Sequence, residues 1–222
     1  MKNNLMKVAL VSTILASSTL ANPAIASEWS ANAAVTSNYL WRGLEQTGGK
    51  AAVSGGIDYA GDSGFYAGTW VSNADWADGM TYELDFYAGF GGDINETVSY
   101  DVGFIYYAYP DETSGDADFS EVYANVSFSG LTLGVAVLTD GEGADAGDTI
   151  YASADYSFAL TNEAEVGLHL GSYSGDWLAE DSIDYGVSIS KSGFTLGASQ
   201  TDLDGGAGDL KVYLAYAIDF DL

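Results

Sequence analysis

The chain has 222 residues, 47% hydrophobic and 14% aromatic, with 32 acidic side chains, six lysines and arginines together, and a net charge of −26. A chain this acidic repels phosphate backbones, which excludes nucleic-acid binding, and the absence of cysteine excludes disulfides and thiol chemistry. Its aromatic and apolar content argues against the disorder that high charge otherwise brings.

Residues 1–26 read as a secretory signal peptide. Lys2 and Lys7 give a positive start, Val8 to Ala16 is mostly apolar, and Ala24-Ile25-Ala26 is a small-x-small cleavage signal. The apolar run is shorter than the ~20 residues a spanning helix needs. Its removal takes away two lysines and no acid, so residues 27–222 are more acidic still, with Arg42, Lys50, Lys191 and Lys211 as their only bases.

Beyond residue 27 the pattern is alternation with period two, the signature of strands with two unlike faces. Twelve segments are expected: 29–43, 50–60, 64–73, 81–91, 97–109, 119–128, 131–139, 149–160, 164–174, 182–190, 194–202 and 210–222. The last is the clearest. Leu210, Val212, Leu214, Tyr216, Ile218, Phe220 and Leu222 share one face, and Lys211, Tyr213, Ala215, Ala217, Asp219 and Asp221 the other. Many runs reach the ~9–11 residues a tilted strand needs to cross a bilayer. Short connections (61–63, 92–96, 129–130, 161–163, 191–193) alternate with longer acidic, Gly-rich ones (44–49, 74–80, 110–118, 140–148, 175–181, 203–209). The fold expected is all-β: a closed antiparallel up-and-down transmembrane β-barrel of twelve strands, with both termini on the short-turn side.

A Ser-Gly phrase recurs at the entry to every fourth strand: "SGFYAGTW" (63–70), "SGLTLGVA" (129–136) and "SGFTLGAS" (192–199). Phe65, Leu131 and Phe194 should face outward there, and Gly68, Gly134 and Gly197 inward. Aromatics sort to the two strand ends, Phe65, Phe90, Phe128, Phe158, Phe194 and Phe220 to the short turns, and Tyr39, Trp41, Tyr82, Tyr106, Tyr109 and Tyr173 to the long loops. Two such girdles mark two membrane interfaces.

"SNYLWRGLEQT" (37–47), "SGFYAGTWVSNADW" (63–76), "YELDFYAGF" (82–90) and "DVGFIYYAYPDE" (101–112) resemble the TorF-type porin family of Gram-negative outer membranes. The resemblance covers residues 27–222 and is strongest through residue 112. It implies a pore in the bacterial outer membrane. Glu45-Gln46 stands where the family usually has Ser-Gln, and the chain ends in Leu222 where such barrels commonly end in an aromatic, leaving Phe220 as the signal for the barrel-assembly machinery.

By parity the inward, pore-lining set is Arg42, Glu83, Asp85, Asp101, Glu121, Asp155, Glu165, His169, Asp184 and Asp219, joined by Asp58. Fixed negative charge in a narrow channel favours cations. The function expected is passive diffusion of small hydrophilic solutes, cationic or neutral, without chemistry, cofactor or metal. Outer-membrane lipid and lipopolysaccharide are the expected surroundings. Arg42, the only arginine, suits a brace across the lumen, because its planar fork holds carboxylates. Inward Tyr66, Trp70, Tyr87, Tyr107 and Tyr213 can narrow or plug the barrel, so a closed barrel with a structural or surface-binding role is the alternative. A hydrolase built on His169, with Ser153, Asp155, Ser182 and Asp184 approaching it from adjacent strands, is a more distant one. The acidic loops, such as Asp111–Asp118 and Asp140–Asp148, read as solvated.

Overall fold

The structure is a computed structural model that describes residues 28–113, 117–175, 177 and 180–222. The signal-peptide reading and Asp116 lie outside the described residues. Twelve long strands, β1 (Glu28–Thr36), β4 (Ala52–Ala60), β5 (Phe65–Asn73), β6 (Tyr82–Asn95), β7 (Val98–Ala108), β8 (Phe119–Phe128), β9 (Leu131–Gly141), β10 (Thr149–Ala159), β11 (Glu165–Gly175), β12 (Ser182–Lys191), β13 (Phe194–Thr201) and β14 (Lys211–Asp221), are separated early in the chain by the two-residue strands β2 (Leu40–Trp41) and β3 (Leu44–Glu45). Each long strand pairs antiparallel with its chain neighbours, and β14 returns to β1 with Ser30 opposite Asp221 and Thr36 opposite Ala215, which closes the barrel. Closure leaves no unpaired edge.

Eleven of the twelve expected segments have their strand where the alternation puts it. The first does not: 29–43 was expected as one strand, but β1 ends at Thr36, and residues 37–51 leave the wall.

The two faces separate as expected. Leu133, Leu170, Val187 and Leu214 stand on the outside, each at least half exposed. The inner face carries carboxylates, hydroxyls, tyrosines and glycines, and its glycines accommodate its tyrosines. Gly68 lies directly opposite Tyr87, Gly89 opposite Tyr66, Gly103 opposite Tyr123 and Gly197 opposite Tyr213. A Cβ on Gly68 would sit 2.5 Å from the Tyr87 ring, and one on Gly197 would meet the Tyr213 ring. Only the bare backbone lets these rings lie against the wall.

Two of the three Ser-Gly phrases make the same tight turn, and the first, at Ser63-Gly64, ends a longer one closed by Gly61 on Phe65. Ser129 and Gly130, and likewise Ser192 and Gly193, both have positive φ, the two-residue turn that suits a right-twisted hairpin. The carbonyls of Gly64, Gly130 and Gly193 each accept an amide from the next strand but one, Gly91 of β6, Ser157 of β10 and Ala217 of β14, at 2.9–3.0 Å. The turn thus extends the ladder by one rung. Phe194 and Leu131 face outward beyond it, as expected.

Candidate functional site

The segment 37–51 folds into the barrel. Trp41 pairs with Leu44 across a tip made of Arg42 (φ 49°) and Gly43 (φ 78°). Two successive positive φ angles make a tight hairpin turn, a strained choice for arginine that the surroundings must hold in place. The tip crosses the lumen. A Cβ on Gly43 would meet Thr201 of β13 and Asp184 of β12, two and three strands round the wall from the hairpin's root at β1.

Arg42 fixes the hairpin there. Its Nη1 and Nη2 donate to Glu121 Oε1 and Oε2 on β8 at 2.8 and 2.6 Å, a bidentate pair buried on both sides. The guanidinium also lies 4.2 Å from the ring centres of Trp41 and Tyr151 and 4.8 Å from that of Tyr173. Trp41 packs edge-on against Tyr107, Phe119 and Tyr173, and Tyr107 stacks on Phe119 at 4.3 Å. Tyr107 and Phe119 join Tyr39, Trp70, Met80, Tyr109 and Leu138 in a buried, largely aromatic core toward the loop side, with Trp41 packed against it.

Tyr39, Trp41, Tyr109 and Tyr173 were expected in a membrane girdle at the loop end. Instead they belong to this inner core, because an in-folded loop must cover its apolar surface inside the barrel. Tyr39 also donates to Glu83 Oε1 at 2.9 Å. Glu83 and Asp85, successive inward residues of β6, are both buried beneath it.

On the opposite wall, His169 of β11 sits between two carboxylates. Its Nδ1 is 2.7 Å from Asp155 Oδ1 and its Nε2 2.7 Å from Asp184 Oδ1, and the Tyr151 hydroxyl lies 3.0 Å from Nε2. Only a ring with protons on both nitrogens donates to both carboxylates at once. The site a hydrolase would need for a serine is taken by Asp184 and Tyr151. A cavity of about 40 Å³ lies beside it, lined by Asp155, Glu165, His169, Ser188, Ser199 and Tyr213. That is room for a few water molecules. His169→Ala is expected to destabilise the folded barrel by about 1–3 kcal/mol, since it leaves buried Asp184 short of a donor. Urea unfolding in detergent, followed by tryptophan fluorescence, reads this.

Toward the short-turn end the lumen carries polar links. Tyr87 donates to Asp58, and Asn32 reaches the same carboxylate at 3.2 Å. Tyr66 donates to Asp101 at 2.6 Å and shares a hydrogen bond with Tyr123. In the outer loops, the Thr81 hydroxyl and amide bind Asp111 and hold its carboxyl below the usual range. That link therefore persists at neutral pH and is lost only as pH falls through the depressed value. Among the described residues no group of three or more His, Cys, Asp or Glu is arranged to hold a metal.

Of the inward set read from the sequence, the structure brings Arg42 and Glu121 into one contact, and Asp155, His169 and Asp184 into another. Glu83, Asp85 and Asp101 are buried on the wall, Glu165 is half-buried, and Asp219 is exposed near the short-turn end. Arg42 reaches the lumen from the hairpin tip instead of from a strand. The signal for this was Arg-Gly between Leu40-Trp41 and Leu44, a turn dipeptide inside an apolar run.

These features define a closed antiparallel β-barrel of the outer-membrane porin fold, its lumen acidic and crossed by a hairpin. The chain belongs to the family described as "Bacterial protein of unknown function (Gcw_chp)", whose model matches residues 20–217. No curated protein matches it by sequence. Among solved structures it is similar to the KdgM porin, with 10% identity over 87% of this chain and 99% of that one and a TM-score of 0.55. The same porin in complex with disordered oligogalacturonate gives 10% identity over 88% and 99%, with a TM-score of 0.53. OprD from Pseudomonas aeruginosa is a looser likeness, 11% identical over 88% of this chain and 67% of that one, with a TM-score of 0.43.

Proposed function

We propose that this protein is an outer-membrane, porin-like channel for passive diffusion of small hydrophilic solutes, with a weak preference for cations, and that it is of the TorF type. The observation that carries the reading is the division of the wall. Apolar side chains cover the outside, and the inside holds carboxylates from Asp58 round to Asp219, against which Arg42, Lys211 and His169 are the inward bases. Arg42 and His169 are already matched to carboxylates, and Lys211 to the carbonyls of Gly206, Ala207 and Asp209. The excess charge on the inner wall is therefore negative, and it concentrates small cations. Galacturonate is an acid sugar, so the oligomer found with the KdgM porin carries the charge this lumen opposes.

Lipid and lipopolysaccharide surround the barrel in this reading, and the C-terminal strand with Phe220 engages the assembly machinery. Val135→Lys or Leu214→Lys, toward the middle of β9 and β14 on the outer face, is expected to cost about 2–4 kcal/mol of stability in a bilayer, as charges facing lipid do. Folding yield into lipid vesicles measures it, with Thr132→Lys on the inner face as the comparison.

Liposome swelling tests the transport reading. Vesicles carrying the protein should admit small cationic and neutral solutes faster than anions of equal size. Equal exclusion of all three would favour the second reading, a closed barrel with a structural or surface-binding role. The observation behind that second reading is the packed hairpin across the loop-side half of the lumen.

A further inference from the structure

Glu83 and Asp85 stand out among the buried groups. They occupy neighbouring inward positions on β6, 1% and 6% exposed. Glu83 Oε1 accepts from Tyr39, but Glu83 Oε2 and Asp85 Oδ1 are shut off from solvent and have no hydrogen-bond partner. The Tyr109 hydroxyl joins Tyr39 on Glu83, and other donors nearby are committed elsewhere. Both terminal nitrogens of Arg42 bind Glu121, and Tyr107, opposite Asp85, turns its hydroxyl to Glu121 at 3.4 Å. Trp70 and Ser72, on the other flanking strand, face Asp85 and Glu83, and the Ser72 hydroxyl is spent on the Asn73 carbonyl.

Burying a carboxylate without partners is costly, and burying two side by side is more so. Arg42 and Glu121 cancel, so the pair, when ionised, carries two uncompensated negative charges within a wall of aromatic rings. We infer that Glu83 and Asp85 form a binding site for a divalent cation, Ca²⁺ by its preference for oxygen, held in the lumen beneath the hairpin. Two carboxylates, the Tyr39 hydroxyl and water supply the hard oxygen ligands that such an ion takes in flexible number. The ion joins β6 to the hairpin through Tyr39, so it stiffens the plug from the side opposite Arg42. With two charged ligands the affinity falls in the micromolar to millimolar range. The site goes beyond the channel reading and stands whether or not the lumen conducts.

The test is isothermal titration of Ca²⁺ into the full-length mature protein, folded in detergent and stripped with EDTA, with Mg²⁺ and K⁺ in parallel. The expected result is saturable Ca²⁺ binding at one ion per chain. Asp85→Asn and Glu83→Gln should each weaken it at least tenfold, and Asp145→Asn/Asp148→Asn in an outer loop should leave it unchanged. Heat-modifiable gel migration establishes that each variant is folded, and Glu83→Gln carries the test if Asp85→Asn fails to assemble. Three results overturn the inference. One is Ca²⁺ binding that both β6 variants retain. Another is binding that only the loop variant loses. The third is no binding by the native protein, which would mean that protons neutralise the pair.

Discussion

Arg42→Ala is expected to destabilise the protein by about 3–5 kcal/mol and to raise its conductance. The cost follows from what stays behind. Glu121 would keep the Tyr107 hydroxyl at 3.4 Å and lose both charged hydrogen bonds in a site closed to water. Three aromatic rings would lose the cation they surround, and the turn at 42–43 would lose the contact that sustains its unfavourable φ. The hairpin would then be free to leave the lumen. Replacing both partners by apolar residues, Arg42→Met/Glu121→Leu, should restore much of the stability, because no orphaned charge remains. The pair of outcomes separates a pin from a general packing residue. A pin gives strong coupling between the two positions and a wider channel in the single variant, whereas mere packing gives additive losses and an unchanged conductance.

Gly197→Val is the second large effect. Gly197 lies opposite Tyr213 across the β13–β14 pair, and a side chain there would occupy the volume of the tyrosine ring. Overpacking of this kind costs about 1–3 kcal/mol, more where the wall cannot yield. β14 also closes the barrel against β1, so displacing Tyr213 threatens closure as well as packing. Tyr213→Ala alone leaves a void, but in combination it removes the clash. The double variant should therefore cost less than the sum of the singles in urea unfolding. A simple sum would mean that the ring and the glycine do not share one space.

Much of this was readable beforehand because period two is a local signal. Each strand announces its faces residue by residue, so the twelve-strand count, the outward rows of Leu and Val, and the inward Asp and Glu positions follow without tertiary information. The Ser-Gly turns were equally legible, since their positive φ angles favour small residues. Contacts across the lumen were not. Nothing near Arg42 in the sequence points to Glu121, 79 residues away. His169 differs: Asp155 and Asp184 lie on the strands either side, within the reach expected from the sequence, and the register brings both to the ring. The loop-end aromatics misled for a related reason. Tyrosine suits a membrane interface and an inner core alike, and which it joins depends on whether a loop turns inward. Arg-Gly was the one local hint that it does, and it was overshadowed by the alternation running through it.

On the proposed reading, the wall encloses a watery, negatively charged passage. Its most direct test is the reversal potential of the purified protein in a planar bilayer under a potassium chloride gradient. Discrete conductance steps whose reversal potential lies toward that of potassium are expected, with larger steps for Arg42→Ala. Reversal toward chloride, or silence from both the native protein and that variant, would contradict it.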